Sequence, residues 1–97
     1  MLLVIYMAKI KVRLYGLIPA KFVVKDIDMY KPFNLKKLEK EIISKYGDVI
    51  HKDYISDRGL LNHQLVRIGD SSGRRLDYED DISGIEEIWF IVPISGG

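Results

Sequence analysis

Glu87-Ile88-Trp89-Phe90-Ile91-Val92-Pro93-Ile94-Ser95-Gly96-Gly97 are residues 87 to 97 of the 97-residue chain. The first six read as the strongest strand in the sequence. Ile88, Phe90 and Val92 share one parity, Trp89 and Ile91 the other, so both faces of the strand are apolar. Such a strand belongs in the middle of a sheet, covered on at least one side. Pro93 has no amide to donate and closes the strand.

Working back from this strand, residues 8–15 alternate, with Ile10, Val12 and Leu14 against Lys9, Lys11 and Arg13, a strand with one buried face. Gly16-Leu17-Ile18-Pro19 supplies a turn, and Lys21-Phe22-Val23-Val24-Lys25 a second strand in a hairpin. Pro32-Phe33-Asn34 punctuates the chain, and the Asn34 side chain is suited to cap a helix. Residues 35–46 are that helix: Leu35, Leu38, Ile42, Ile43 and Tyr46 fall on one face, and Lys36, Lys37, Lys40, Glu41 and Ser44 on the other. Gly47 is expected to end it in the left-handed conformation.

Residues 47–63 carry no clear period. A short helical turn or irregular strand is expected there, anchored by Val49, Ile50, Tyr54, Ile55 and Leu60, because long structureless connections are rare in compact domains. Leu65-Val66-Arg67-Ile68 is a third strand. Gly69-Asp70-Ser71-Ser72-Gly73 is a hairpin loop leading to a short fourth strand at Arg74-Arg75-Leu76. Ile82 is an apolar plug after the polar Glu79-Asp80-Asp81. The first and last strands are the most apolar, which suits adjacent, parallel positions at the sheet centre.

The length makes one domain, residues 1–97. The 47% hydrophobic and 30% charged content is that of an ordinary globular chain. A net charge of +1 gives no global electrostatic case for nucleic acid or an anionic membrane. The absence of cysteine removes disulfides, thiolate metal sites and a cysteine nucleophile, and fits a reducing cytoplasm. Met1-Leu2-Leu3-Val4-Ile5-Tyr6 is apolar but far short of the roughly 20 residues a membrane span needs. These six residues are either an extension ahead of a start at Met7 or a lengthening of the first strand. His51 and His63 lack a ligand cluster, and Ser71 and Ser72 sit in a turn without the lysine of a phosphate-binding loop. Neither marks a metal or cofactor site.

The last sixteen residues also carry a pattern. Ile82 is followed by a Ser83-Gly84-Ile85 turn, the acidic pair Glu86-Glu87, the apolar strand, and Pro93-Ile94-Ser95-Gly96-Gly97. This resembles the C-terminus of the molybdopterin synthase small subunit and its relatives, the thiamine-pathway sulfur carrier and the archaeal ubiquitin-like small modifiers. Val92-Pro93 stands where the family often has two prolines, and the turn glycine, Gly84, sits one residue early. The resemblance implies an α+β, ubiquitin-like β-grasp fold: a mixed four- to five-stranded sheet packed on one main helix, with a free C-terminal tail at residues 93–97. It implies no enzyme activity and no intrinsic cofactor. An E1-like adenylating partner would use ATP to activate the Gly97 carboxylate, the one reacting group in the chain.

The tail suits that use. Gly96 and Gly97 lack Cβ atoms and can thread a narrow channel. Pro93 keeps the exit extended, and Ile94 and Ser95 are placed to make strand-like contacts with the partner. Trp89 and Ile91, flanked by Arg67, form a candidate docking patch if Ile88 and Phe90 face the helix; otherwise Trp89 packs beneath residues 47–63. Three functions follow from these features. The first is a sulfur carrier whose Gly97 thiocarboxylate serves a sulfur-acceptor synthase or a thiolation pathway. The second is a modifier joined through Gly97 to target-protein lysines. The third is a β-grasp binding module with an incidental tail.

Overall fold

The computed structural model describes residues 7–93. Residues 1–6, Ile94, Ser95, Gly96 and Gly97, with the expectations attached to them, lie outside the described residues. The fold is α+β: β1 (Met7–Ile18), β2 (Lys21–Tyr30), α1 (Leu35–Tyr46), β3 (Arg67–Asp70) and β4 (Glu87–Ile91), with one 3-10 turn at Lys52–Tyr54. The strands form a mixed sheet of order β2-β1-β4-β3. β1 runs antiparallel to β2 and parallel to β4, and β3 runs antiparallel to β4. The two strands richest in apolar residues therefore lie side by side in the centre, where both edges are paired.

Registry sorts the sheet into rows. Ile68, Phe90, Leu14 and Val23 oppose one another across the four strands, and Ile88 opposes Val12 in the next row. Apart from the half-buried Val23, which packs against its edge, these side chains join Leu35, Leu38 and Ile42 of α1 in a single buried cluster. Burying each one stabilises the fold by about 1.5–3 kcal/mol. The helix has the predicted bounds, and Asn34 caps it by accepting from the Lys37 amide at 2.9 Å. The Ile82 plug is fully buried, its amide donating to the Phe33 carbonyl at 3.1 Å. Among the described residues, no helix is long and apolar enough to cross a membrane.

Several expectations need correction. The first hairpin is longer than its alternation suggests, and its turn is confined to Pro19 and Ala20. The register shifts between Tyr15 and Ile18, where Gly16 takes a φ of +88°. That irregularity sends both Leu17 and Ile18 into the core. The third strand begins two residues later than expected, at Arg67. Arg74-Arg75-Leu76 is not a strand. A single bridge, Gly69 to Arg75, joins it to the sheet edge, with the Leu76 amide donating to the Ile68 carbonyl. Residues 47–66 form a strap holding the expected short helical turn. Ile50 and Leu60 are buried and Tyr54 and Ile55 half-buried, but Val49 is 51% exposed and anchors nothing.

Gly47 is not left-handed. Its φ of −56° and ψ of −30° continue the right-handed turn, and its amide donates to the Ile43 carbonyl. The glycine is needed for space: a Cβ there would lie 2.5 Å from the Ile43 oxygen. At an ordinary right-handed position alanine would stabilise by restricting the unfolded chain. Here the contact with backbone reverses the sign, and Gly47→Ala is expected to cost roughly 1–3 kcal/mol in urea unfolding.

Candidate functional site

The sheet face away from α1 is open, and the same registry organises it. Arg67, Ile91, Tyr15 and Phe22 form one row across all four strands. Gly69, Trp89, Arg13 and Val24 form the next. A third row, Glu87, Lys11 and Asp26, is charged. The first two rows carry the aromatics. Tyr15 meets Phe22 edge-on at 5.1 Å between ring centres and Trp89 at 5.4 Å. Phe22 is 78% exposed, the most exposed large hydrophobic side chain among the described residues.

Trp89 is held rather than displayed. The Arg13 guanidinium lies 4.8 Å above its ring, pairs with Glu87, and donates to the Tyr15 hydroxyl at 3.1 Å. This fixes the indole half-buried between neighbouring strands, while residues 47–66 supply their anchors to the helix-side core. Trp89, Ile91 and Arg67 thus lie together on the open face, as the alternation of Val66, Arg67 and Ile68 suggests. Pro93, exposed, follows directly where β4 leaves the sheet. Ile94, Ser95, Gly96 and Gly97 lie beyond the described residues.

Two depressions meet at Ile91. One, of about 450 Å³, is lined by Arg67, Gly69, Gly73, Arg75, Trp89 and Ile91. The other, of about 340 Å³, is lined by Tyr15, Gly16, Phe22, Ile91, Val92 and Pro93. Gly69 opens the first by leaving no side chain beside Trp89. It is also obligatory, since a Cβ would lie 2.9 Å from the Arg74 carbonyl oxygen. Asp70, which also lines the first depression, turns its Oδ1 into its own hairpin, accepting from the Ser72 hydroxyl at 2.6 Å and the Ser72 and Arg74 amides at 3.0 Å. The Ser72 hydroxyl above all holds its carboxyl below the usual range.

Sequence reasoning passed over Tyr15 and Phe22. For Tyr15 the available signal was parity: it stands on the side of Lys9, Lys11 and Arg13 and has no core to enter, whereas Phe22 is placed by register alone. A second constellation was missed altogether. Glu39 of α1 is fully buried, accepting from the Leu61 amide at 2.8 Å and from His63 Nε2 at 2.6 Å. His63 stacks on Tyr78 at 3.7 Å, and the Tyr78 hydroxyl donates to the Leu61 carbonyl at 2.6 Å. Burial first, and then the Glu39 charge, push the Tyr78 hydroxyl pKa up. The cluster ties the strap to the helix. It offers two ligating side chains, and the described residues hold no group of three that could bind a metal ion.

No family model and no curated protein matches this chain.

Proposed function

We propose that the chain is a cytoplasmic sulfur carrier of the ubiquitin-like β-grasp type, its Gly97 carboxylate activated by an E1-like enzyme. The observation that carries this reading is the sequence Pro93-Ile94-Ser95-Gly96-Gly97, which follows directly on a central parallel strand bordered by an exposed apolar face. The element order supports it too: a hairpin, one helix across the sheet, and a last strand beside the first.

The chemistry requires little of this chain. A Gly97 carboxylate oxygen attacks the α-phosphorus of ATP in the partner's site, and pyrophosphate leaves. A sulfur nucleophile of the partner's donor then attacks the acyl carbon, and AMP leaves. The nucleophile is the outer sulfur of a persulfide, so an acyl disulfide forms. A second thiol of the donor attacks its S–S bond, the donor leaves as a disulfide, and the thiocarboxylate is freed for a sulfur-acceptor synthase to consume. What the chain supplies is positioning: a slim end that enters another enzyme's site, and a face that docks against it. All acid–base and phosphate-binding groups belong to the partner.

The test is the intact mass of protein isolated from its own cells, with sequencing of its C-terminal peptide. The expected result is a fraction of molecules ending at Gly97 with one oxygen exchanged for sulfur. Conjugates linking Gly97 to lysines of other proteins, with no such exchange, make the chain a modifier instead. A mature chain that continues past Gly97 overturns both readings.

A further inference from the structure

We infer that the open face is a groove for an acidic segment of a partner protein, with carboxylates at the Arg67 and Arg75 end and a large apolar side chain at the Phe22 end. The inference concerns partner docking and does not depend on whether Gly97 is activated.

Charge carries the first half. Arg67 and Arg75 both line the larger depression, and both are exposed. Among the described residues neither takes part in an ion pair, whereas Arg13 is paired with Glu87 and Arg74 with Asp80. Asp70 also lines the depression, and its Oδ1 is engaged by its own turn, accepting three hydrogen bonds there. The groove therefore presents two guanidiniums against one carboxylate, a net positive end, above an apolar floor of Trp89 and Ile91. Guanidinium forks match carboxylates in geometry as well as sign. Arg75 is also steadied, donating from Nη2 to the His63 carbonyl at 3.3 Å.

Shape carries the second half. Beyond Ile91 the row continues into the depression of Tyr15, Gly16, Phe22, Val92 and Pro93, which holds no charged side chain. From Arg67 to Phe22 the row crosses three strand spacings, roughly 14 Å. An inorganic anion or a single nucleotide phosphate would use only one end. An extended peptide advances about 3.3 Å per residue, so an acid and an aromatic about four residues apart reach both ends at once. Two cations on a chain of net charge +1 make a poor track for a polyanion.

The experiment titrates the full-length protein, isotopically labelled, with three synthetic peptides followed by NMR. The first carries two glutamates and a phenylalanine four residues beyond the second. The second has lysines for the glutamates, and the third serine for the phenylalanine. The expected result is saturable shifts of the Trp89 indole, Ile91 and Phe22 resonances with the first, and at least about tenfold weaker binding of each of the others. The R67E/R75E double variant should reverse the preference and take the lysine peptide. Arg67→Glu alone, which removes no hydrogen bond among the described residues, gives the same sign of change if the double variant fails to fold. Equal binding of all three peptides, shifts confined to other surfaces, or displacement of the first peptide by an equal concentration of a uridine hexanucleotide overturns the inference.

Discussion

Deleting Gly96 and Gly97 is expected to abolish the cellular activity of the protein while leaving its thermal midpoint almost unchanged. Every buried residue among the described ones lies between Ile10 and Phe90, and the sheet closes at Ile91. Removal of two residues outside that core should cost no more than about 0.5 kcal/mol. In a domain of this size that is a shift of roughly 2–4 °C. Function should respond on a different scale, because the deleted residues carry the one acyl group the proposed chemistry uses. A single alanine added after Gly97 separates position from composition. It moves the carboxylate by up to about 3.6 Å and keeps both glycines. Misplacement of a reacting atom by about 1 Å already costs on the order of a hundredfold, so this extension should be as inactive as the deletion. Adenylation can be read directly, as exchange of labelled pyrophosphate into ATP by the partner enzyme. A deletion variant that supports wild-type function would leave the folded face, not the tail, as the working part.

What could be read in the sequence followed from strong local patterns. The 35–46 helix has a one-sided apolar stripe and a capping asparagine, and both survive unchanged in three dimensions. The central parallel pair was legible because the first and last strands are the most apolar, which suits adjacent central positions, residues 88–92 being apolar on both parities. The open face was half legible. Arg67, Trp89 and Ile91 fall on it by alternation, but Tyr15 and Phe22 join them only through the register of three strands, and register depends on long-range pairing. Gly47 illustrates a different limit. A glycine after a helix suggests a backbone sign, whereas here it answers to the Ile43 carbonyl, a steric demand that composition does not announce. The fourth strand failed because a short arginine-rich run at a sheet edge forms one bridge as readily as a ladder. Glu39 falls on the apolar stripe between Leu35 and Ile42, and its role there was not legible because its partners, Leu61 and His63, sit in the segment with no period to read.

That last cluster supports the second large prediction. Glu39→Ala is expected to lower stability by about 3–5 kcal/mol, a large part of the roughly 5–15 kcal/mol that holds a small domain together. Two costs add. The Leu61 amide loses its acceptor inside the protein, worth about 1–3 kcal/mol, and the vacated side chain leaves a void. His63→Ala should also be costly, because it leaves the fully buried Glu39 side chain with the Leu61 amide as its one remaining partner among the described residues. The double variant should then cost less than the sum of the two, with a coupling of roughly 0.5–3 kcal/mol, since neither partner is left stranded. Glu39→Gln keeps the volume and an acceptor for Leu61, and is expected to cost less than half as much as Glu39→Ala. If that alanine variant unfolds outright, His63→Ala and Glu39→Gln still test the idea by hydrogen exchange. The Leu61 and Val66 amides should exchange faster while those of β1 and β4 keep their protection, because the cluster fastens the strap and not the sheet. Uniform acceleration, or strictly additive costs, would mean that the pair is not coupled. The loosening should also reach the open face: the His63 carbonyl that steadies Arg75 belongs to the same strap, so His63→Ala should weaken binding of the glutamate peptide without touching any residue that contacts it.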